Sequence, residues 1–236
     1  MKNFILPDNS SALIFGSSGG IGKAIYDTIK SDISIKNVYG LSRNSEISFD
    51  FFSEQSIKNA AELISAKFLD IRLVIICTGF LYDEISRPEK SFKELDVNYL
   101  KKSFYLNAIG PGLIMKYFAP LLPRKEKVIF ASLSAKVGSI SDNNLGGWLS
   151  YRSSKAALNQ LVKCYSIELN RKNKESICVS IHPGTVDTNL SKPFKKNGLN
   201  VRDPIEAAYD IINVLKEIDL SHNGKLIDYK GKEIAF

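Results

Sequence analysis

Short apolar runs alternate along the chain with longer stretches whose apolar positions recur every three or four residues. The runs predict buried strands, and the periodic stretches predict helices with one face against a core. Strands are predicted at residues 12–15, 37–41, 47–51, 73–77, 127–131, 176–181 and 225–228, and helices at 21–29, 53–67, 91–118, 151–170 and 204–216. The 91–118 helix has a predicted break near Gly110-Pro111-Gly112, and Pro204 stands where a first helical turn tolerates it. This alternation builds a doubly wound α/β fold, a mostly parallel sheet with helices on both faces. No repeat, linker or low-complexity segment divides it, so residues 1–236 read as one domain. Ligands of such sheets sit beyond the carboxyl ends of the strands.

Composition narrows the function classes. Apolar residues make up 44% and charged residues 24% of the 236, as in an ordinary globular protein. The net charge of +7 is spread along the chain, densest at Lys192, Lys195 and Lys196, and no basic run is interleaved with stacking aromatics. Solvated lysines, and no nucleic-acid partner, are the expectation. The excess charge also suits a polyanionic cofactor. Cys77, Cys164 and Cys178 lie far apart and only two histidines are present, so no metal site is expected. Cys77 and Cys178 fall in apolar runs and read as buried small hydrophobes. No run approaches a membrane span and residues 1–6 are too short for a signal peptide, which makes the cytoplasm the expected location.

Two local patterns carry chemistry. Gly16-Ser17-Ser18-Gly19-Gly20-Ile21-Gly22 joins the first predicted strand to the first predicted helix. Glycines let a backbone approach a ligand closely, and a helix start presents unpaired N–H donors with a partial positive charge. Strand, loop and helix in that order make a phosphate site, although the spacing is G-x-x-x-G-x-G and not the common dinucleotide G-x-G-x-x-G. Gly16, Ser18, Gly20, Ile21 and Gly22 are its candidate contacts. Tyr151 and Lys155 stand four apart at the start of a helix and share one face. A phenol with a pKa of about 10 is a poor acid–base group at neutral pH. A neighbouring ammonium lowers it into a useful range, and a lysine can hold a sugar hydroxyl at the same time.

The order of these motifs resembles the short-chain dehydrogenase/reductase family in its single-domain form. The likeness runs through the glycine loop, Asn107 ahead of Gly110-Pro111-Gly112, a serine-rich strand end before Gly138, Tyr151-Arg152-Ser153-Ser154-Lys155, and Pro183-Gly184-Thr185-Val186-Asp187-Thr188. Gly138-Ser139-Ile140, Gly146-Gly147-Trp148 and the tail Asp228 to Glu233 are similar to the C-factor-like and sniffer-like carbonyl reductases. The resemblance implies a Rossmann fold and an oxidoreductase that reduces a small ketone or aldehyde, or oxidises the alcohol. A non-enzymatic signalling or sensor protein on the same fold is the alternative. Tyr151 would exchange the proton with the substrate oxygen, and Lys155 would lower its pKa and bind the nicotinamide ribose. Asn107 would hold a water in a proton relay through Lys155, and a serine would orient the substrate. Asp50 would lie near the adenine, and Gly79 against the cofactor. Pro183, Gly184, Thr185, Val186 and Thr188 would line the nicotinamide and phosphates.

Three departures from the family pattern stand out. The family's serine position, three residues before Gly138, is Ala135; Ser134 beside it is taken as the catalytic serine, with Ser132 or none as alternatives. The Asn-Asn-Ala-Gly that commonly follows the fourth strand is Ile76-Cys77-Thr78-Gly79 here. The segment between the strand end and Tyr151 is long, and loops at about 138–150 and 187–203 are expected to shape the substrate pocket. Leu81, Tyr82, Leu145, Trp148, Leu190 and Phe194 are candidate walls. The second strand ends Leu41-Ser42-Arg43 with no acid before Glu46, which favours NADP(H) over NAD(H), because Arg43 and Ser42 can meet a 2′-phosphate. The 91–118 and 151–170 helices carry more apolar surface than one buried face needs, and in this family such helices pair into homodimers and homotetramers.

Overall fold

The computed structural model describes residues 4–191 and 201–236. Seven strands form one sheet: β1 (Ser11–Phe15), β2 (Asn37–Leu41), β3 (Ile71–Ile76), β4 (Val128–Leu133), β5 (Ser176–His182), β6 (Leu226–Asp228) and β7 (Glu233–Ile234). Their order is β2-β1-β3-β4-β5-β6-β7, parallel throughout except for the antiparallel β6–β7 pair. The chain turns one way from β1 to β2 and the other way to β3, so the crevice at the carboxyl ends of β1 and β3 is the topological switch point.

Strand alternation divides the core in two. Leu13, Phe15, Val74, Ile76 and Phe130 face α2 (Glu54–Ser65), α4 (Gly110–Phe118) and α5 (Leu149–Lys172). Ala12, Ile14, Leu73, Ile75, Ile129 and Val179 face α1 (Gly20–Lys30) and α6 (Pro204–Glu217). Some helix starts have a side-chain cap: Ser53 accepts from Ser56 N–H for α2, and Asp203 accepts from Ile205 N–H for α6, with Pro204 in its first turn. Helix α1 begins after Gly19 with neither a side-chain cap nor an acid in its first turn.

The structure corrects several expected elements. Residues 47–51 are not a strand: Ile47, Phe49 and Phe51 are buried in alternation, but pairing is limited to an isolated Ser42–Ser48 bridge. The expected 91–118 helix begins at α3 (Val97–Phe104), where the Asp96 carboxylate accepts from Tyr99 N–H at 2.7 Å. It does not break at Gly110-Pro111-Gly112; it passes through a π-turn at Tyr105–Ile109 directly into α4. Pro111 fits because it opens a new α-helical stretch, where a missing N–H matters least. Strand β7 had no apolar run to mark it. Cys178 is buried as expected, while Cys77 is only partly covered as a residue. The expected Lys192, Lys195, Lys196 and Phe194 features lie outside the described residues, as does part of the 187–203 loop.

Candidate active site

The glycine loop closes on itself at the end of β1. Gly16 has φ +81°, and its N–H donates to Leu41 O at 2.7 Å, joining the ends of β1 and β2. Gly22 packs so closely on the Gly16 carbonyl that a Cβ there would strike it. The loop therefore sits tight on the sheet, and the uncapped first turn of α1 presents its N–H groups at the switch point, a setting suited to a phosphate. Thr188 comes across from after β5 and lies against this turn, with its Cγ2 2.7 Å from where a Cβ on Gly20 would stand. Ile21 packs against the inner core.

Beyond β2 the chain makes a tight turn. Ser42 is buried; its N–H donates to Ser45 Oγ at 2.7 Å and its Oγ accepts from Asn44 N–H at 3.3 Å. Arg43 is exposed at this turn and makes no ion pair among the described residues. A cavity of about 600 Å³ opens between the turn and the glycine loop, lined by Ser17, Ser18, Lys23, Gly40, Ser45 and Glu46 among others. Asp50 is exposed, and its Oδ1 accepts from Phe52 N–H at 3.0 Å ahead of α2.

Tyr151 and Lys155 lie one turn apart in α5 and both are buried, at 7% and 3% exposure. The Lys155 ammonium donates to Leu133 O at 2.9 Å and stands 6.0 Å from the Tyr151 ring centroid. Burial pushes the phenol up and brings the lysine down to about 7. On the phenol, desolvation thus acts against the lowering that the resemblance implies for a charged Lys155. Asn107 sits in the π-turn, fully buried. Its Oδ1 accepts from Phe80 N–H at 2.8 Å, and its Nδ2 donates to Phe80 O at 2.8 Å and to Ser154 Oγ at 3.0 Å. Asn107 Oδ1 and Lys155 Nζ each lie 3.7 Å from where a Cβ on Gly79 would stand, so these three residues share one corner. The π-turn occurs where the helix must bring Asn107 inward, a frequent use of such turns.

Ser134 is buried in the same region, but its hydroxyl donates to Asn159 Oδ1 at 2.7 Å. Ala135, Tyr151 and Leu81 form a small apolar cluster, against which Tyr82, Val137, Trp148 and Leu190 pack. Four of the expected walls thus surround Tyr151, whereas Leu145 is 91% exposed. Ser132 Oγ is buried without a partner among the described residues. The segment after β5 spans both ends of the crevice, with Thr188 at Gly20 and Leu190 at Gly79, and the Tyr82 hydroxyl donates to Asn189 O. Val186 is buried and forms an isolated bridge with Arg202. Arg202 went unnoticed in the sequence. Its N–H donates to Thr185 O at 2.9 Å, its guanidinium donates to Pro183 O at 3.3 Å, and it stacks 4.1 Å over the Tyr229 ring beside Gly184. Burial lowers the His182 pKa to about 4 and keeps the ring neutral, in line with a packed strand-end residue.

Residues 33–214 match the family model described as enoyl-(acyl carrier protein) reductase. The chain belongs to the short-chain dehydrogenase/reductases. It is 31% identical over 201 residues to an uncharacterised oxidoreductase of Saccharomyces cerevisiae, covering 80% of this chain and 76% of that one. It is 30% identical over 143 residues to the C-signal protein of Myxococcus xanthus, covering 60% of this chain and 82% of that one. The solved carbonyl reductase Sniffer of Drosophila melanogaster superposes with a TM-score of 0.83 at 20% identity, over 98% of this chain and 100% of that one. An NADPH-bound carbonyl reductase from chicken fatty liver gives 0.85 at 22% identity, over 99% and 96%. This short-chain dehydrogenase/reductase is thus an oxidoreductase with the seven-stranded, mostly parallel sheet of those structures. Among the described residues, no helix is long and apolar enough to cross a membrane. Its close-packed Gly22, uncapped α1 and exposed Arg43 fit a dinucleotide phosphate.

Proposed function

We propose that this chain reduces the carbonyl of a small ketone or aldehyde, or oxidises the corresponding alcohol, with NADP(H) preferred over NAD(H). The observation that carries the reading is the buried Tyr151 in an apolar cluster, one helical turn from a lysine held at Leu133 O and close to Asn107. When bound, the nicotinamide supplies the hydride. Tyr151, protonated through burial, donates its proton to the carbonyl oxygen. Lys155, with its pKa brought down to about 7, is charged in part of the molecules at neutral pH; its charge steadies the phenolate left behind and its N–H groups hold the ribose. Asn107 braces the end of β3 against α5 through Phe80 and Ser154, which keeps Lys155 aligned for a water-borne proton relay. Ser134 has a supporting part: its hydroxyl holds Asn159 and so the body of α5, while Ala135 faces the Tyr151 cluster. A pure cofactor sensor would have no need of this acid–base alignment.

On the cofactor side, the glycine loop from Gly16 to Gly22 and Thr188 are assigned to the pyrophosphate. Gly79, Pro183, Gly184, Thr185 and Val186 are assigned to the nicotinamide end, and Asp50 to the adenine end. Ser42 and Arg43 take the 2′-phosphate. Arg43→Ala is expected to weaken NADPH at least tenfold, about 1.4 kcal/mol, with NADH changed by less than about threefold. Titration of both cofactors by nicotinamide fluorescence checks this, and equal losses would remove Arg43 from the 2′-phosphate site. Binding of neither cofactor by the parent chain would end the reductase reading. A panel of carbonyls then tests turnover.

Exposed Tyr105, Ile109 and Leu161 leave apolar surface on the π-turn and α5, and exposed Phe52 stacks on Tyr105 with ring centroids 5.4 Å apart. This face supports a homodimer or homotetramer closed by rotational symmetry. Sedimentation equilibrium is expected to give a mass of two or four chains, and Leu161→Lys to give the monomer.

A further inference from the structure

We propose that Glu89 is a positioning residue for Tyr151, holding the first turn of α5 and the Trp148 wall as one rigid unit. The inference rests on the reading of Tyr151 as the proton donor. Glu89 lies in the segment between β3 and α3, yet it is only 2% exposed and forms no ion pair among the described residues. A buried carboxylate needs compensation, and here the start of α5 supplies it. Ser150 N–H donates to Glu89 Oε2 at 3.2 Å, and the Ser150 hydroxyl donates to Oε1. The α5 N-cap is Trp148, which has no capping side chain, so a carboxylate from 61 residues earlier does that work.

The backbone of Glu89 has a second grip. Gly146, Gly147 and Trp148 occupy the left-handed region in succession, with φ of +63°, +63° and +52°. For tryptophan that conformation is strained and persists only where neighbours impose it. Trp148 N–H donates to the Glu89 carbonyl, and Gly147 lies against the same carbonyl, 3.4 Å from where its Cβ would stand. Arg152 closes the bend from the helix side, its Nε donating to Gly147 O at 3.0 Å. The bend sets the Trp148 ring edge-on to Tyr151, with centroids 6.2 Å apart at 70°. One residue therefore fixes both the acid and an aromatic wall of its pocket. Misplacing a reacting group by about 1 Å can cost 10²-fold in rate.

Trp148 is the only tryptophan in the chain, so its emission reports the bend directly. Glu89→Ala, Glu89→Gln and Ser150→Ala would be compared with the parent in kcat, NADPH affinity and tryptophan emission. Glu89→Ala is expected to lower kcat about 10–100-fold, to leave the NADPH Kd within about threefold, and to shift the emission. Glu89→Gln keeps an acceptor for Ser150 and is expected to recover most of kcat and the parent spectrum. Ser150→Ala, which loses only the hydroxyl contact, should fall between the two. The proposal is overturned if Glu89→Ala keeps kcat within twofold, leaves the emission unchanged, or weakens NADPH as much as it lowers kcat. If Glu89→Ala does not fold, Ser150→Ala decides: parent kcat and parent emission would overturn the proposal, and a partial loss in both would support it. Should the parent turn over no carbonyl at all, the reductase reading fails, and an emission shift in Glu89→Ala that Glu89→Gln reverses still upholds the grip on the bend.

Discussion

Tyr151→Phe is expected to lower carbonyl turnover by about 10²–10⁴-fold while leaving NADPH binding within about threefold of the parent. The substitution removes one oxygen from a ring that is otherwise packed among Leu81, Ala135 and Trp148, so the apolar cluster should keep its shape. The glycine loop proposed for the cofactor is built on β1, and Lys155 is anchored to Leu133 O, so neither is held by that oxygen. The loss should therefore appear in kcat and not in cofactor affinity, which steady-state rates and a fluorescence titration separate. Retained turnover would remove Tyr151 from the chemistry.

Lys155→Met is expected to abolish most turnover and, at the same time, to make the chain more stable at pH 6. Burial lowers the lysine from 10.5 to about 7, which corresponds to a penalty on the order of 5 kcal/mol for keeping it charged. Methionine fills a similar volume without the charge, but leaves the Leu133 carbonyl without its donor, a loss of about 1–3 kcal/mol. A net gain of about 2–4 kcal/mol follows. The sign with pH is set by linkage. Between about 7 and 10.5 the unfolded lysine binds a proton that the folded one does not, so this group makes the parent more stable as pH rises through that window. Below 7 both forms are protonated and the penalty is constant. The buried Tyr99, Tyr151 and Tyr165 phenols, all raised, act oppositely: above about pH 10 the unfolded chain loses protons that the folded one keeps, and stability falls. Urea midpoints from pH 7 to 8.5 should therefore climb in the parent and stay nearly flat in Lys155→Met, while above about pH 9 the buried Cys77 and Cys178 thiols, also raised, lower the stability of both. Parallel curves would mean that Lys155 is solvated in solution.

The two substitutions probe residues that were visible in the sequence because their signals are local. A glycine loop between strand and helix, and a tyrosine and lysine one turn apart, are spacings that the helix and the strand turn directly into geometry. The 47–51 segment shows where such reasoning stops. Its alternation is real, since Ile47, Phe49 and Phe51 are buried, but burial alternates in any extended segment lying on a core. A ladder needs a neighbouring backbone in register, and here the segment finds a single bridge. Ser134 and Ala135 both reach α5, but at different turns: Ala135 packs beside the phenol, while the Ser134 hydroxyl bonds Asn159 about two turns further along.

Glu89 had no sequence signal at all. Pro88-Glu89-Lys90 reads as a polar loop, and only the packing of that loop on the start of α5 buries the carboxylate and gives it Ser150. The same holds for the titration of Tyr151 and Lys155. Four-residue spacing placed Lys155 beside Tyr151, but whether the ammonium pulls the phenol down or burial pushes it up depends on how much protein covers both. By itself, then, the sequence determined the alternation of strands and helices apart from the 47–51 segment and β7, the glycine loop, and the helical face that carries Tyr151 and Lys155, because each follows from contacts a few residues apart. Only the tertiary structure decided which residue after β4 packs beside Tyr151, what holds the first turn of α5 and how deeply Tyr151 and Lys155 are buried. Those depend on burial and on neighbours distant in the chain, and no local pattern encodes them.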